Sequence, residues 1–364
     1  MAVGPEVRSM APVRIAVLWQ EVTGHVAVCL QALAREPGVS VLVGHHDLDA
    51  TMPFAGGTTP PPYESIRCPP DGDAAPLLER LERFAPTAML VSSWHVPAYR
   101  RALKRFRGRA LRILAMDNPW RGNLRQWLGV AVAPYHVRPL YEAVYLAGER
   151  QAVFARKLGF AEDEILYGVL TADTAAMRQA AGREPEQPAF LFIGRLVAVK
   201  GLDTLADAYA AYRRAVADPW PLRVCGLGPL APVISPVPGV EMVGFVQPQA
   251  LPDQFARSSC LVLPSRSENW GVVIHEAAAA GRPVICSTAC GASVSLVRDG
   301  FNGFVFEAGN AAALSAALIR MHSASIAERR RMSEASRHLA EQYSPERWAH
   351  YLLDRIAILG AGAG

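Results

Sequence analysis

Short apolar runs recur along this chain from Val13 to Phe306, each closed by a turn and followed by a segment whose apolar residues repeat at helical spacing. Val13 to Leu18, Val39 to Val43, Ala88 to Ser92, Leu111 to Ala115, Ala143 to Ala147 and Ile165 to Val169 make a first series. Ala189 to Ile193, Leu222 to Cys225, Val240 to Val243, Cys260 to Leu263, Pro283 to Cys286 and Gly303 to Phe306 make a second. Strand, turn and helix in alternation predict an α/β chain of two doubly wound, Rossmann-like domains, with ligands at the carboxyl ends of the strands and a cleft between the domains as the site.

The expected boundaries follow from composition. Residues 1–12 are expected to be disordered, 13–181 to form the first domain, and the polar, proline-bearing stretch 182–188 (GREPEQP from Gly182) to be a linker. The second domain is expected over 189–343, and 344–364 to carry a last helix that packs back on the first domain. In that helix Trp348, Leu352, Ile356 and Leu359 recur on one face, and Ser344-Pro345-Glu346 caps it. Met52 to Pro76 reads as a long surface connection with one short strand, Glu64 to Cys68.

A length of 364 residues, 51% hydrophobic, suffices for two cored domains. The first dozen residues lack the basic and apolar regions of a secretory leader, and no run approaches the ~20 apolar residues of a membrane span. The expectation is a cytoplasmic protein, with peripheral contact at the inner membrane face as an addition. The 6 cysteines form no CxxC pair and read as buried free thiols rather than zinc ligands. A net charge of +4 argues against nucleic acid as a partner unless a localised stripe exists. Arg100 to Arg112 is the one dense cationic run, with Leu103, Phe106 and Ala110 as its inner face; a solvated helix face is the plainer reading and an anionic membrane surface or lipid diphosphate the sharper one.

The richest stretch runs from Ser259 to Ser287, SCLVLPSRSENWGVVIHEAAAAGRPVICS. A strand stops at Pro264, a polar turn follows, and a small-residue helix is expected from Gly271 to Gly281. Backbone N–H groups at its start, around Asn269, Trp270, Gly271 and Val272, form an anion seat. Glu268 precedes the helix and Glu276 lies in its second turn, leaning back toward the loop, so two acceptors flank one anion position. Gly194-Arg195 and Lys200-Gly201 place two cations in the loop after an earlier strand, where a diphosphate needs neutralising. Gly226-Leu227-Gly228 is a glycine turn, and Gly244-Phe245-Val246 presents backbone groups and an aromatic suited to a nucleobase or to the core. Gly24, opening a helix after the first strand, is placed for close approach of a ligand.

Together Gly194-Arg195, Lys200-Gly201, Gly226 and Gly228, Gly244-Phe245-Val246, Pro264-Ser265, Glu268 with Glu276, Gly281 to Ile285 and Asp299-Gly300 to Gly303 resemble the donor domain of the retaining family 4 glycosyltransferases of GT-B fold, the glycosyl transferases group 1. The likeness spans Phe190 to about Leu318, and outside it only the strand and helix layout and Gly24 match. The resemblance implies an enzyme that moves a sugar from a UDP- or GDP-linked donor to a hydroxyl of a glycan, lipid-linked or small-molecule acceptor. It implies that Arg195 and Lys200 bind the diphosphate and stabilise the departing charge. Glu268 would hold hydroxyls of the transferred sugar, Glu276 those of the ribose, and the backbone at Trp270 to Val272 would take phosphate oxygens. No metal or other cofactor is implied beyond the nucleotide sugar as co-substrate.

The first domain departs from the family pattern. Members commonly carry a histidine near the donor sugar, whereas here one strand ends Ala115-Met116-Asp117 and the preceding one leads to Ser93-Trp94-His95. His95 and Asp117 are the candidates for that place, with His25 behind them. Asp47-Leu48-Asp49 after His45-His46 has the look of a metal-binding DxD, a minor reading in this fold. Two competing functions remain: a glycosidase using Glu268 and Glu276, which gives the cations nothing to do, and a catalytically inactive nucleotide-sugar-binding partner subunit.

Overall fold

In a computed structural model the described residues, 12–47, 60–69, 72–183 and 185–361, form two sheets in which each bonded pair of strands is parallel. The first holds β1 (Val13–Trp19), β2 (Val39–His45), β3 (Glu64–Arg67), β4 (Ala88–Val91), β5 (Leu111–Met116), β6 (Ala143–Leu146) and β7 (Ile165–Tyr167), in the order β3-β2-β1-β4-β5-β6-β7. The second holds β8 (Phe190–Ile193), β9 (Leu222–Cys225), β10 (Val240–Gly244), β11 (Cys260–Leu263), β12 (Val284–Ser287) and β13 (Gly303–Phe306), in the order β10-β9-β8-β11-β12-β13. Strands such as β4, β6, β11 and β12 are buried at every residue because helices cover both faces of each sheet, so their sequences are apolar but for Ser287 at the end of β12. In both sheets the order reverses beside the first strand, between β1 and β4 and between β8 and β11. Loops leaving these neighbours diverge and open a crevice at their carboxyl ends.

The strand candidates read from the sequence fall on these elements with small shifts at their ends. The expected helix from Gly271 to Gly281 is Val272–Ala279; Gly271 stands outside it at φ 91° and Gly281 follows it at φ 67°, both conformations that end helices. The Arg100 to Arg112 run is not one helix: Pro97–Arg105 is helical, the chain turns through Gly108, and β5 follows. Leu103, Phe106 and Ala110 are buried, Arg105 and Arg109 pair with Glu82, and Arg112 is buried against Glu142 and the carbonyls of Leu103 and Pro139. That run is therefore largely spent on internal contacts. Cys29, Cys68, Cys225, Cys260, Cys286 and Cys290 are all buried and free. Residues 1–11 and most of the Met52 to Pro76 connection lie outside the described residues.

The chain crosses between domains twice. Helix Thr174–Met177 already packs on the second-domain helices Leu251–Ala256 and Val272–Ala279, and Arg282 donates to the Ala180 carbonyl. The first crossing therefore lies at Val169 to Asp173, ahead of the polar stretch 182–188. The return runs through Ala340 to Ser344 into helix Pro345–Ala361, which lies against helix Gly24–Ala34 of the first domain. There the Trp348 indole donates to the Val169 carbonyl at 3.2 Å and stacks on Tyr145.

His275 stitches the two crossings together. Its Nδ1 accepts from the Ala172 N–H at 3.0 Å, which leaves Nε2–H to donate to the Ala340 carbonyl at 3.2 Å. Fully buried, it is held neutral, with its pKa lowered to about 4 by desolvation. A folded pKa below the ordinary value of 6.5 means its contribution is intact above pH 6.5 and is lost as pH falls toward 4. The His275→Gln variant, which keeps an acceptor and a donor but cannot charge, is expected to lose melting temperature less steeply than wild type over that interval. A pH series of thermal unfolding curves checks this; parallel curves would remove His275 from the acid response.

Candidate active site

The site is built where the loop after β8 meets the loop after β11. Beyond β8 the chain runs through Gly194 and Arg195, turns at Ala198–Lys200, and reaches Gly201 in the left-handed conformation (φ 67°). A Cβ on Gly201 would stand 2.3 Å from the Pro264 carbonyl oxygen, so backbone conformation and close approach both require glycine. The Arg266 N–H donates to the Val199 carbonyl at 2.8 Å, locking the loops together. This contact brings Lys200 onto Glu268 as an ion pair, with side chains only 15% and 18% exposed, and Ser265 Oγ donates to the same carboxylate at 3.3 Å. Arg195, five residues before Lys200 in the same loop, is exposed.

The glycines of the next loop serve backbone contact. A Cβ on Gly226 (φ 151°) would fall 1.9 Å from the Gly194 carbonyl oxygen, and one on Gly228 2.5 Å from that of Leu196. Gly226 and Gly228 thus let the β8 and β9 loops lie flat on each other. Half-buried Phe245 and Val246 follow β10 on the same side, and Gly226 N–H donates to Gly244 O at 2.7 Å. Gly24 faces them across the cleft, its missing Cβ position 4.0 Å from the side chain of Pro248.

Glu276 has a separate electrostatic environment from Glu268. Its side chain keeps a narrow opening to solvent, yet the surrounding protein desolvates it, and its carboxyl is pushed up to about 7, chiefly by burial and secondarily by the Asp173 carboxylate. The sequence pairs the two glutamates around one position. The structure gives Glu268 a cation and Glu276 an acid as neighbour.

Across the cleft the first domain meets Asn269. Its side-chain amide donates to Asp117 Oδ2 and to Asn118 Oδ1, each at 3.3 Å, while its own oxygen accepts from Arg121 at 2.7 Å. Fully buried Gln151 donates through Nε2 to the carbonyls of Asp117 (2.8 Å) and Asn269 (2.9 Å), and its oxygen accepts from the Gly148 N–H at 3.1 Å. The Trp270 side chain is 2% exposed and wedges over Gly148, where a Cβ would be 2.5 Å from the indole, so Trp270 serves as packing while its backbone stays in the loop. Arg150 donates to the Thr288 carbonyl at 2.5 Å. Gln151, Arg121 and Arg150 carry no signal in the sequence: they stand in ordinary polar and helical stretches, and only the folded approach of the domains gives them partners.

Asp117 is therefore the first-domain candidate that the fold brings to the Glu268 loop. His95 is exposed, tilted against Trp94, with its pKa lowered by desolvation and then by Arg125 and Arg100. His25 is held to about 4 by burial, with Nδ1 3.1 Å from Thr23 Oγ1. Asp47 is ion-paired to Arg67, Asp49 lies outside the described residues, and among the described residues no three His, Cys, Asp or Glu side chains converge on a metal position. A cavity of about 560 Å³ opens between the domains, bounded by Pro119, Trp120, Arg121, Arg150, Arg266 and Glu268.

Residues 173–339 match the family model described as glycosyl transferases group 1. The matched stretch carries the β8 and β11 loops, Glu268 and Glu276. The chain is 29% identical over 152 residues to an alpha-D-kanosaminyltransferase of Streptomyces kanamyceticus, covering 40% of this chain and 39% of that protein. It is 32% identical over 197 residues to a D-inositol 3-phosphate glycosyltransferase of Rhodococcus jostii, covering 50% of this chain and 43% of that one. The chain thus spans about two fifths of the length of the curated relatives it matches. Among solved structures, a glycosyltransferase from Rickettsia africae superimposes with a TM-score of 0.75 at 14% identity, over 96% of this chain and 99% of that one. Anabaena HepE in complex with UDP and glucose superimposes at 0.71 and 17%, over 95% and 100%. These overlaps extend the shared GT-B fold over both domains.

The raised pKa of Glu276 makes ligand binding sensitive to pH. A ligand hydroxyl that donates to Glu276 holds it ionised, so binding releases a proton and affinity rises as pH increases through about 7. Calorimetric titration with a nucleoside diphosphate sugar, whose phosphates do not titrate there, is expected to show this rise in wild type and a flat profile in Glu276→Gln. A flat wild-type profile would detach Glu276 from the ligand.

Proposed function

We propose that the protein is a glycosyltransferase that moves a sugar from a nucleoside diphosphate donor, UDP- or GDP-linked, to an acceptor hydroxyl, with retention at the anomeric carbon and without a metal. The observation that carries this reading is the Lys200–Glu268 pair at the carboxyl end of the second sheet, facing Asp117 across a cleft. A glycosidase places a carboxylic acid and a carboxylate on either side of one glycosidic bond. Here Glu268 is bound to an ammonium, and Arg195 is a second cation of the loop that carries it, an arrangement suited to a sugar attached to an anion.

In the proposed reaction the diphosphate lies against Arg195, Lys200 and the amino end of helix Val272–Ala279, which supply the positive potential that a divalent cation supplies elsewhere. Lys200 turns from Glu268 to phosphate, and Glu268 is released to accept sugar hydroxyls. The bond between the anomeric carbon and the phosphate oxygen breaks with its electron pair going to that oxygen. The acceptor oxygen bonds to the anomeric carbon on the same face, and its proton passes to a phosphate oxygen of the leaving group. Asp117, held by Asn269, is the first-domain group facing the sugar, with His95 the more distant candidate. The acceptor, a glycan, lipid-linked or small-molecule hydroxyl, enters from the first domain.

Lys200→Ala and Arg195→Ala are each expected to lower kcat by a factor on the order of 100 or more, the cost of losing one charge-stabilising donor. Nucleoside diphosphate release across a panel of donors and acceptors measures this, and nuclear magnetic resonance of the product reads the anomeric configuration. Full turnover in both variants would refute the assignment. Tight donor binding by wild type with no transfer to any acceptor would favour the inactive binding subunit.

A further inference from the structure

Helix Leu124–His136 turns its apolar side to solvent. Leu124, Trp127, Leu128, Ala131, Val132 and Tyr135 recur along one stripe at the spacing that ordinarily faces a core. Leu124 is 75% exposed, Leu128 60% and Tyr135 81%, and Ala133 is the helix's one buried residue. The other side of the helix does the holding: Gln126 donates to the Pro119 carbonyl at 2.8 Å and accepts from the N–H groups of Arg121 and Gly122. A contiguous exposed apolar stripe of this kind marks an interaction surface.

The charges around the stripe say what covers it. From Asn118 to Pro139 the chain has no Asp or Glu, while Arg121 and Arg125 fall within it; Arg138 lies there too but is paired with Glu164. Lys157 Nζ sits 4.9 Å and 5.0 Å from the ring centres of Trp120 and Trp127, and Arg100 donates to the His136 carbonyl. Exposed Arg101 and Lys104 continue the cationic border on the neighbouring helix Pro97–Arg105. Apolar and aromatic residues bordered by cations match a bilayer surface, with acyl chains under the stripe and anionic headgroups at its rim. A second copy docking on the same face would bring two cationic borders together, which opposes it. No helix among the described residues is long and apolar enough to cross a membrane.

We propose that helix Leu124–His136 is a membrane-binding surface that seats the protein on an anionic bilayer. The helix starts beside Arg121, which reaches Asn269 in the cleft, so the seated protein opens its cleft at the headgroup level. If the glycosyltransferase reading holds, this selects acceptors anchored in that bilayer; the seating itself does not depend on catalysis. It centres the membrane contact on the helix that follows the Arg100 to Arg112 run, in which Arg105, Arg109 and Arg112 are paired with glutamates while Arg101 and Lys104 stay at the border.

The test is flotation of the full chain with vesicles of phosphatidylglycerol and phosphatidylcholine, and with phosphatidylcholine alone. Wild type is expected to float with the anionic vesicles and to be released by high salt. The double variant Leu128→Glu, Val132→Glu is expected to bind about ten-fold more weakly or worse, since both residues insert and added acids repel the headgroups. Both sites are exposed, and an unchanged circular dichroism spectrum and melting temperature establish that the variant is folded. Failure of wild type to bind anionic vesicles, or equal binding by the folded variant, would overturn the proposal. So would a dimer in light scattering that the double variant abolishes, since that makes the stripe a self-interface. Nucleotide binding by the same preparations is read separately, so loss of the donor reading and loss of the membrane reading are distinguishable.

Discussion

The contact of Gly201 with the Pro264 carbonyl sets the geometry of everything at the site. A side chain at 201 would collide with backbone and would resist the left-handed φ, so the β8 and β11 loops approach only because the residue is glycine. That approach places the Lys200 ammonium on Glu268 in a mostly desolvated position. An ion pair so placed gains little net stability, since desolvation offsets much of its attraction, and its partners are readily exchanged for a ligand of matching charge. In the proposed function, a diphosphate for Lys200 and sugar hydroxyls for Glu268 make that exchange. A cation that is already ordered and mostly dry, as Lys200 is, does not need to be assembled when charge develops on a leaving group.

The two sheets present this pair to the first domain through few contacts. Asn269, Gln151, Arg121 and Arg150 bridge the cleft, and His275 ties both crossings on the far side. The crossings at Val169 to Asp173 and Ala340 to Ser344 are the covalent links about which one domain can turn on the other. Gln151 reports the closed spacing directly, because its amide reaches the Asp117 and Asn269 carbonyls at once.

The fold was legible in the sequence because its signal is local. Strands buried on both faces are apolar throughout, as in Cys260–Leu263, and glycines such as Gly271 and Gly281 mark where a helix begins and stops. The loop chemistry of the second domain was legible for the same reason, since Arg195, Lys200 and Glu268 follow strands at short range. Contacts made between distant segments leave no such trace. Gln151 to Asn269 joins residues far apart in the chain, and Glu276 meets Asp173 only after the crossing is folded. The outward stripe of Leu124–His136 was missed because periodicity shows that a helix has an apolar face but not which way that face turns. The Arg100 to Arg112 cations looked free for the converse reason: Glu82 and Glu142, which bind Arg105, Arg109 and Arg112, lie on other elements.

In the proposed function the Lys200–Glu268 loops form a metal-independent seat for a nucleoside diphosphate. A thermal-shift panel of UDP, GDP and ADP, with chelator and again with Mn²⁺, tests it most directly. At a ligand concentration about 100 times its dissociation constant, the matching nucleotide should stabilise the fold by roughly 2.7 kcal/mol, and without metal. Stabilisation by one nucleotide in the presence of chelator is the predicted result. No shift from any nucleotide, or a shift that appears only with Mn²⁺, would contradict it.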